Sequence, residues 1–355
     1  MPSWKRLIAA AAAQRPDNSL STAMRARTAR RVCFLFAVAI IIDSVRRSLK
    51  AARTEQQNPR SKGLDRKTTV GVLRALNRED ASVALAVRSE IPKLAKAVDA
   101  IVAALRAGGR LIYVGAGTSG RLAVADAAEC PPTFGTSPKM VQAIVAGGSR
   151  AFRYAVEGAE DSASAGARDL SRVKISKRDV VVGLSASGTT PYVLGALQAA
   201  KKEGAVTVGV TANRRSPLAK RTAIAIVPET GPEALAGSTR LKAGTAQKMV
   251  LNLLSTASMV RLGKVYGSWM VHLALTNRKL RQRGIRILQE AADVNASQAE
   301  HALRQASNSL PAALVMLKTG ADSAHAREWL SEAGGNVRRA LTRSERHRAG
   351  RKMRD

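Results

Sequence analysis

The stretch Leu111-Ile112-Tyr113-Val114-Gly115-Ala116-Gly117-Thr118-Ser119-Gly120 decides the fold. Four consecutive apolar residues run straight into a glycine-rich turn, and Ser119–Cys130 behind it reads as a helix. A short, wholly apolar run of this kind marks a strand buried on both faces, as in a parallel sheet. The pattern repeats along the chain. Met140–Ala146, Asp179–Leu184, Ala205–Val210 and Ala223–Val227 are further apolar runs bounded by Gly, Ser and Pro. Helical spacing over Pro92–Arg106 precedes the first run, and Tyr192–Lys202 follows the third. Alternating strand and helix predicts a flavodoxin-like three-layer α/β/α sandwich with about five parallel strands. Beyond the last strand only helical pieces remain. They are Ala243–Leu262, Gly267–Arg283, Ser297–Ser307 and three short pieces from Leu310 to Leu341, so a small helical C-terminal subdomain is expected.

In such a sheet ligands bind beyond the carboxyl ends of the strands, so the loops there carry the chemistry. The first loop has the spacing GxGxxG, yet no acidic residue lies between Glu129 and Glu157 to hold the ribose of a dinucleotide. Its glycines let backbone approach an anion, Thr118 and Ser119 add hydroxyls, and a helix N-terminus follows. The third run ends in Ser185-Ala186-Ser187-Gly188-Thr189-Thr190, a second hydroxyl-rich loop ahead of a helix. Gly237-Ser238-Thr239-Arg240-Leu241-Lys242 is a third such segment. Neutral hydroxyls and main-chain donors, without a Walker lysine motif, point to a sugar phosphate. Gly117, Thr118, Ser119, Ser185, Ser187, Gly188, Thr190, Ser238, Thr239 and Lys242 are the candidate phosphate and substrate contacts. Two acidic places stand out. Glu129 lies among small and apolar residues, whose burial of it would raise its pKa. Glu157, Glu160 and Asp161 follow the second run. Carboxylates in unlike surroundings could divide acid and base roles.

Charge is the most conspicuous bulk property. The 355 residues carry a formal net charge of +32, of which +9 lies in residues 1–53 and +6 in residues 338–355. The remainder is spread over the body. No zinc-finger spacing or basic leucine-zipper pattern accompanies it, and aromatics are only 3%, so no nucleic-acid partner is expected. The two cysteines and four scattered histidines form no disulfide framework and no metal-ligand spacing, and no metal or other cofactor is expected. Val32–Ile42 is an apolar run too short to span a bilayer, so stable membrane insertion is not expected. Residues 1–53 are expected to be a basic, poorly ordered extension or sequence upstream of the true start, and residues 343–355 a basic tail.

Taken together, Gly115–Gly120, Glu129-Cys130-Pro131-Pro132-Thr133-Phe134-Gly135, Glu157–Asp161, Ser187–Val193, Gly237–Lys248 and Leu251–Gly267 resemble the N-acetylmuramic acid 6-phosphate etherase family, over roughly Thr54 to Leu341. The resemblance implies a sugar isomerase (SIS) fold, with the catalytic domain over residues 54–290 and the helical subdomain over 291–342. It also implies a cytoplasmic, homodimeric carbon–oxygen lyase. That enzyme would convert N-acetylmuramic acid 6-phosphate to N-acetylglucosamine 6-phosphate and D-lactate, by elimination and water addition, in cell-wall amino-sugar recycling. Carried over by motif, Glu129 would be the acid at the leaving oxygen and Glu160 the base at C2. The alternatives are a phosphosugar isomerase and a non-catalytic sugar-phosphate-binding regulator. Three positions depart from the family pattern. Thr189 stands where Arg is usual, and His272 and Arg278 stand where acids are usual.

Overall fold

A computed structural model describes residues 53–352. The expectations for the N-terminal extension up to Ala52 and for the last three residues of the tail lie outside them. The elements in chain order begin with three helices, α1 (Thr69–Asp80), α2 (Val83–Arg88) and α3 (Ile91–Arg106). The alternating part comprises β1 (Leu111–Gly115), α4 (Gly117–Phe134), β2 (Val141–Val145), α5 (Ala163–Arg172), β3 (Val180–Leu184), α6 (Pro191–Lys202), β4 (Val206–Val210), α7 (Pro217–Arg221) and β5 (Ile224–Ile226). Six helices complete the described residues: α8 (Lys242–Arg261), α9 (Arg278–Ala292), α10 (Ala296–Gln305), α11 (Leu310–Thr319), α12 (Ser323–Glu332) and α13 (Val337–Lys352).

The five strands form one parallel sheet in the order β2-β1-β3-β4-β5. Strand periodicity of two sorts their side chains onto two cores. Leu111, Tyr113, Val180, Val182, Val208 and Val210 face α3, α4 and α8. Ile112, Val114 and Val181 face α5, α6 and Leu218 of α7. Each large side chain fully buried in this way stabilises the fold by roughly 1.5–3 kcal/mol. That explains why these strands read as continuous apolar runs. Helix α3 shows the matching pattern at period 3.6, burying Leu94, Ala97, Val98, Ile101, Val102 and Leu105, with Pro92 in its first turn. Among the described residues the layers match the expected sandwich of five parallel strands.

Helices α5 and α6 approach each other to backbone contact. A Cβ at Gly166 would lie 1.9 Å from the Tyr192 carbonyl oxygen, and one at Gly195 would lie 2.0 Å from that of Ala163. The C-terminal helices pack around a separate cluster that includes Val271, Leu288, Leu303, Leu314, Trp329 and Val337.

One expectation fails. The helix predicted over Gly267–Arg283 begins only at Arg278, capped by the Asn277 side chain, which accepts from Leu280 N–H at 2.9 Å. Ahead of it the chain makes a tight turn. Tyr266 and Trp269 exchange backbone hydrogen bonds at 3.0 and 2.9 Å across Gly267 at φ +58°. Ala274 N–H then donates to the Pro132 carbonyl at 3.2 Å. Tertiary backbone partners and a left-handed glycine thus replace the helix that spacing alone suggested.

Candidate functional site

The strand order reverses between β1 and β3, so the carboxyl ends of these two strands flank the crevice of the sheet. Both strands lead into helices that lack a capping side chain. Ala116 precedes α4 and has none to offer, and Thr190 precedes α6 without capping it. α1, α5, α7, α9, α10, α11 and α12 are capped by Ser, Thr, Asn or Asp, while α2, α3 and α8, like α4 and α6, have no side-chain cap. The first amides of α4 therefore have no side-chain cap, the arrangement that receives an anion, whereas α6 opens on Pro191, which has no N–H, and its Tyr192 N–H donates to the Glu160 carbonyl at 3.0 Å.

The loop 185–190 is organised by its own hydroxyls. Ser185 Oγ lies 2.8 Å from Thr190 Oγ1, 3.4 Å from Ser187 Oγ and accepts from Gly188 N–H at 3.0 Å. Ser187 Oγ lies 2.9 Å from Thr189 Oγ1. The hydroxyl of Thr211 and the amide of Asn213 donate to the carbonyls of Ala186 and Ser187, pinning the loop to the segment after β4. Gly188 sits at φ +70°, and a Cβ there would lie 2.3 Å from Ser216 Oγ and 2.7 Å from Thr211 Oγ1. Only glycine fits this turn without displacement.

The third segment joins these loops. A Cβ at Gly244 would lie 3.4 Å from the Thr239 carbonyl oxygen and 3.6 Å from Thr118 Cγ2. Ala186, Ala212 and Ala243 pack together beneath them. The structure thus brings Thr118, the 185–190 loop and Thr239 around one end of the sheet. Ser238 lies one residue ahead of Thr239, and its N–H donates to the Leu235 carbonyl at 2.9 Å.

Lys242 is a correction. It was expected to contact substrate, but its ammonium is buried 2.6 Å from Glu79 Oε2, which also accepts from Asn58 at 2.7 Å. Burial opposes ionisation of Glu79. The hydrogen bonds from Lys242 and Asn58, with the charges of Lys242 and Arg60, outweigh it and hold the carboxyl below its usual range. The N-terminus of α8 is also filled, because Lys242 and Ala243 N–H both donate to the buried Glu233 carboxylate at 2.9 Å. Burial pushes the Glu233 pKa up. This buried charge network was missed in the sequence. Its members come from residues 58, 79, 233 and 242, and no local motif announces it.

The two candidate acids lie apart. The Glu160 carbonyl accepts from Tyr192 N–H at 3.0 Å, which ties the 157–161 loop to the first turn of α6. The Glu160 side chain is exposed. Glu129 is twelve residues along α4 from Gly117, about 18 Å down the helix at 1.5 Å per residue. It too is exposed, so its own chain does not bury it as the sequence suggested. Beside it, Asp126 is buried, accepting from Tyr113 Oη at 3.0 Å and Ser255 Oγ at 3.2 Å, with Lys248 Nζ at 3.6 Å. Sequence reasoning missed this cluster as well.

The departures from the family pattern settle differently. Thr189 contacts Ser187 Oγ twice, through its hydroxyl at 2.9 Å and its N–H at 3.2 Å. His272 is mostly buried, with Nε2 2.9 Å from the Gly335 carbonyl, and burial and the nearby Lys264 charge push its pKa down. Among the described residues no group of three or more His, Cys, Asp or Glu could hold a metal ion. None of the described helices is long and apolar enough to cross a membrane.

Two family models match the chain: the glucokinase regulatory protein N-terminal SIS domain over residues 93–201 and the SIS domain over residues 159–257. The N-acetylmuramic acid 6-phosphate etherase of Geobacillus thermodenitrificans is 52% identical over 293 residues, covering 82% of this chain and 99% of that relative. The N-acetylmuramic acid 6-phosphate etherase 2 of Vibrio cholerae is 48% identical over 303 residues, covering 85% of this chain and 99% of its own. The Serratia proteamaculans N-acetylmuramic acid 6-phosphate etherase is 50% identical over 296 residues, covering 83% and 100%.

Proposed function

The chain belongs to the N-acetylmuramic acid 6-phosphate etherase family, and from that premise we propose how its residues divide the reaction. The enzyme is a carbon–oxygen lyase of cell-wall amino-sugar catabolism. Its substrate is N-acetylmuramic acid 6-phosphate and its products are N-acetylglucosamine 6-phosphate and D-lactate. The phosphate sits at the uncapped N-terminus of α4, beside the hydroxyl loop ahead of α6. There it meets Gly117, Thr118, Ser119, Ser185, Ser187, Gly188 and Thr190, with Ser238 and Thr239 closing over it. Lys242 acts from below, by holding Glu79 and the start of α8.

In the open-chain sugar the C1 aldehyde acidifies the C2 proton. Glu160 takes that proton, the C2–C3 double bond forms, and the C3–oxygen bond breaks. Glu129 gives its proton to the departing lactate oxygen, which is otherwise a poor leaving group. Water then adds to C3 with Glu129 as base, and a proton returns to C2. Atoms balance as substrate plus water giving the two products.

One observation carries the arrangement. Glu129 lies about 18 Å along α4 from the cradle at Gly117, farther than a hexose phosphate held there reaches. Glu160 is tied to α6 beside that cradle. We therefore propose a homodimer in which Glu129 of one copy completes the site of the other. Exposed Leu253 and Val260 on α8 offer apolar surface for such an interface. The division of the body into a catalytic part over residues 54–290 and a helical part over 291–342 belongs to the same proposal, as does a cytoplasmic location, where phosphorylated sugars are found.

The deciding experiment incubates the purified chain with N-acetylmuramic acid 6-phosphate in water labelled with both heavy oxygen and deuterium. D-lactate release with label at C3 is expected. C2 hydrogen exchange without lactate would replace the etherase with an isomerase. Neither exchange nor lactate from folded protein would leave a binding module.

A further inference from the structure

The Asp126 cluster has a property that packing alone does not require. Asp126 is buried and its carboxylate accepts from Tyr113 Oη, while buried Ser255 Oγ shares its one hydrogen between Asp126 at 3.2 Å and the Leu251 carbonyl at 3.0 Å. Lys248 on α8 nevertheless extends its ammonium to 3.6 Å from Asp126 Oδ1 and donates to Asn252 Oδ1 one turn along its own helix. Its side chain stays 41% exposed. An ion pair of this openness and length adds little to stability. What it does is fix a cation, from beneath, at the surface where α8 meets α4.

That surface is also where Glu129 emerges. Asp126 and Glu129 are three residues apart on α4, neighbours on the helix surface with Cβ atoms ~5–6 Å apart. The charges of both Lys248 and Glu129 act on the same buried thiol of Cys130. Burial and Asp126 push that thiol up to about 12, Lys248 opposes them, and Glu129 adds to them. A cation and a carboxyl are thus presented side by side.

We propose that the Lys248 ammonium receives the carboxylate of the lactyl group, making Lys248 the specificity-determining contact on the leaving-group side. The assignment rests on the reading of Glu129 as the acid at the ether oxygen. In a lactyl ether the carboxylate hangs from the same carbon as that oxygen. The group that protonates the oxygen and the group that pairs with the carboxylate must therefore lie near one another, and Glu129 and Lys248 each neighbour Asp126. Asp126 is the positioning residue: it orients the ammonium and is itself locked by Tyr113 and Ser255.

Binding rather than turnover tests this. The full-length Glu160→Gln protein is titrated calorimetrically with N-acetylmuramic acid 6-phosphate and with its lactyl methyl ester, which differ by one charge. The acid is expected to bind ~10–100-fold tighter than the ester, the range of a hydrogen bond to a charged group. Adding Lys248→Met should bring the ratio to about one through loss of acid affinity alone. Lys248→Gln, which keeps a donor toward Asp126, should do the same, and Lys248→Arg should retain most of the preference. A ratio unchanged in both neutral variants, or an unaltered Lys248 protein that binds acid and ester alike, overturns the assignment. The preference in Glu160→Gln, with no D-lactate released by the unaltered enzyme, supports the Lys248 contact and refutes the catalytic reading. D-lactate release by the unaltered enzyme, without the preference in Glu160→Gln, does the reverse.

Discussion

The two ends of α4 hold opposite chemistry. Its N-terminus meets β1 and the 185–190 loop in a setting of glycines, uncapped amides and neutral hydroxyls. Its C-terminal half carries Asp126 and Glu129, with Lys248 alongside. A phosphate brings its own charge, so the end that holds it needs donors rather than ions. Breaking a carbon–oxygen bond moves protons, so the end that performs it needs titratable groups. One helix keeps the two apart, and this separation is why the proposed site draws on two copies.

The largest effect should come from the charged end. Glu129→Gln is expected to lower D-lactate release ~10³-fold with folding intact, within the range of lost general acid catalysis. Mixing Glu129→Gln and Glu160→Gln chains after subunit exchange should then restore about a quarter of normal activity, since half the dimers carry one intact composite site. No recovery on mixing would place both acids on one chain and break the comparison.

Next is the charge hidden under the neutral end. Lys242→Met should destabilise the protein by ~3–5 kcal/mol in urea unfolding, because Glu79 would be left buried without its cation. A loss below about 1 kcal/mol would mean that the pair is solvated, as surface pairs are. Gly188→Ala should cost ~1–3 kcal/mol of stability through strain at φ +70° and contact with Ser216. It should also raise KM for the phosphorylated sugar. An alanine variant with unchanged midpoint and KM would show that the loop is softer than its hydrogen bonds imply.

The smallest change adds charge where there is none. Thr189→Arg supplies the cation that the family resemblance implies at this position and should lower KM severalfold, an effect of ~1 kcal/mol. An unchanged KM would show that the neutral cradle already satisfies the phosphate.

How much of this was legible depends on whether a residue's partners are near in sequence. The strands were, since a strand buried on both faces announces itself by its own apolar run, as Leu111–Val114 does. The hydroxyl loops were, since Ser185, Ser187 and Thr190 bond mostly to one another. Lys242 was misread because it follows a hydroxyl motif while its partner, Glu79, is distant in the chain. Helix α1 passed unnoticed because Val70 and Leu73 are exposed and give it no clear apolar stripe. The turn at 267–277 was hidden for the same reason as Lys242, since Ala274 pairs with Pro132 across the fold.

The contact of α5 and α6 through Gly166 and Gly195 bears on motion. Backbones that touch directly have no side chains between them to slide or change rotamer. The Glu160 loop ends on α5, and its carbonyl is bonded to the first turn of α6. We expect it to move with these two helices rather than flap alone, so that opening around a bound sugar is a collective displacement in the microsecond-to-millisecond range. Relaxation-dispersion signals that share one rate across the 157–161 loop, α5 and α6 would be its signature.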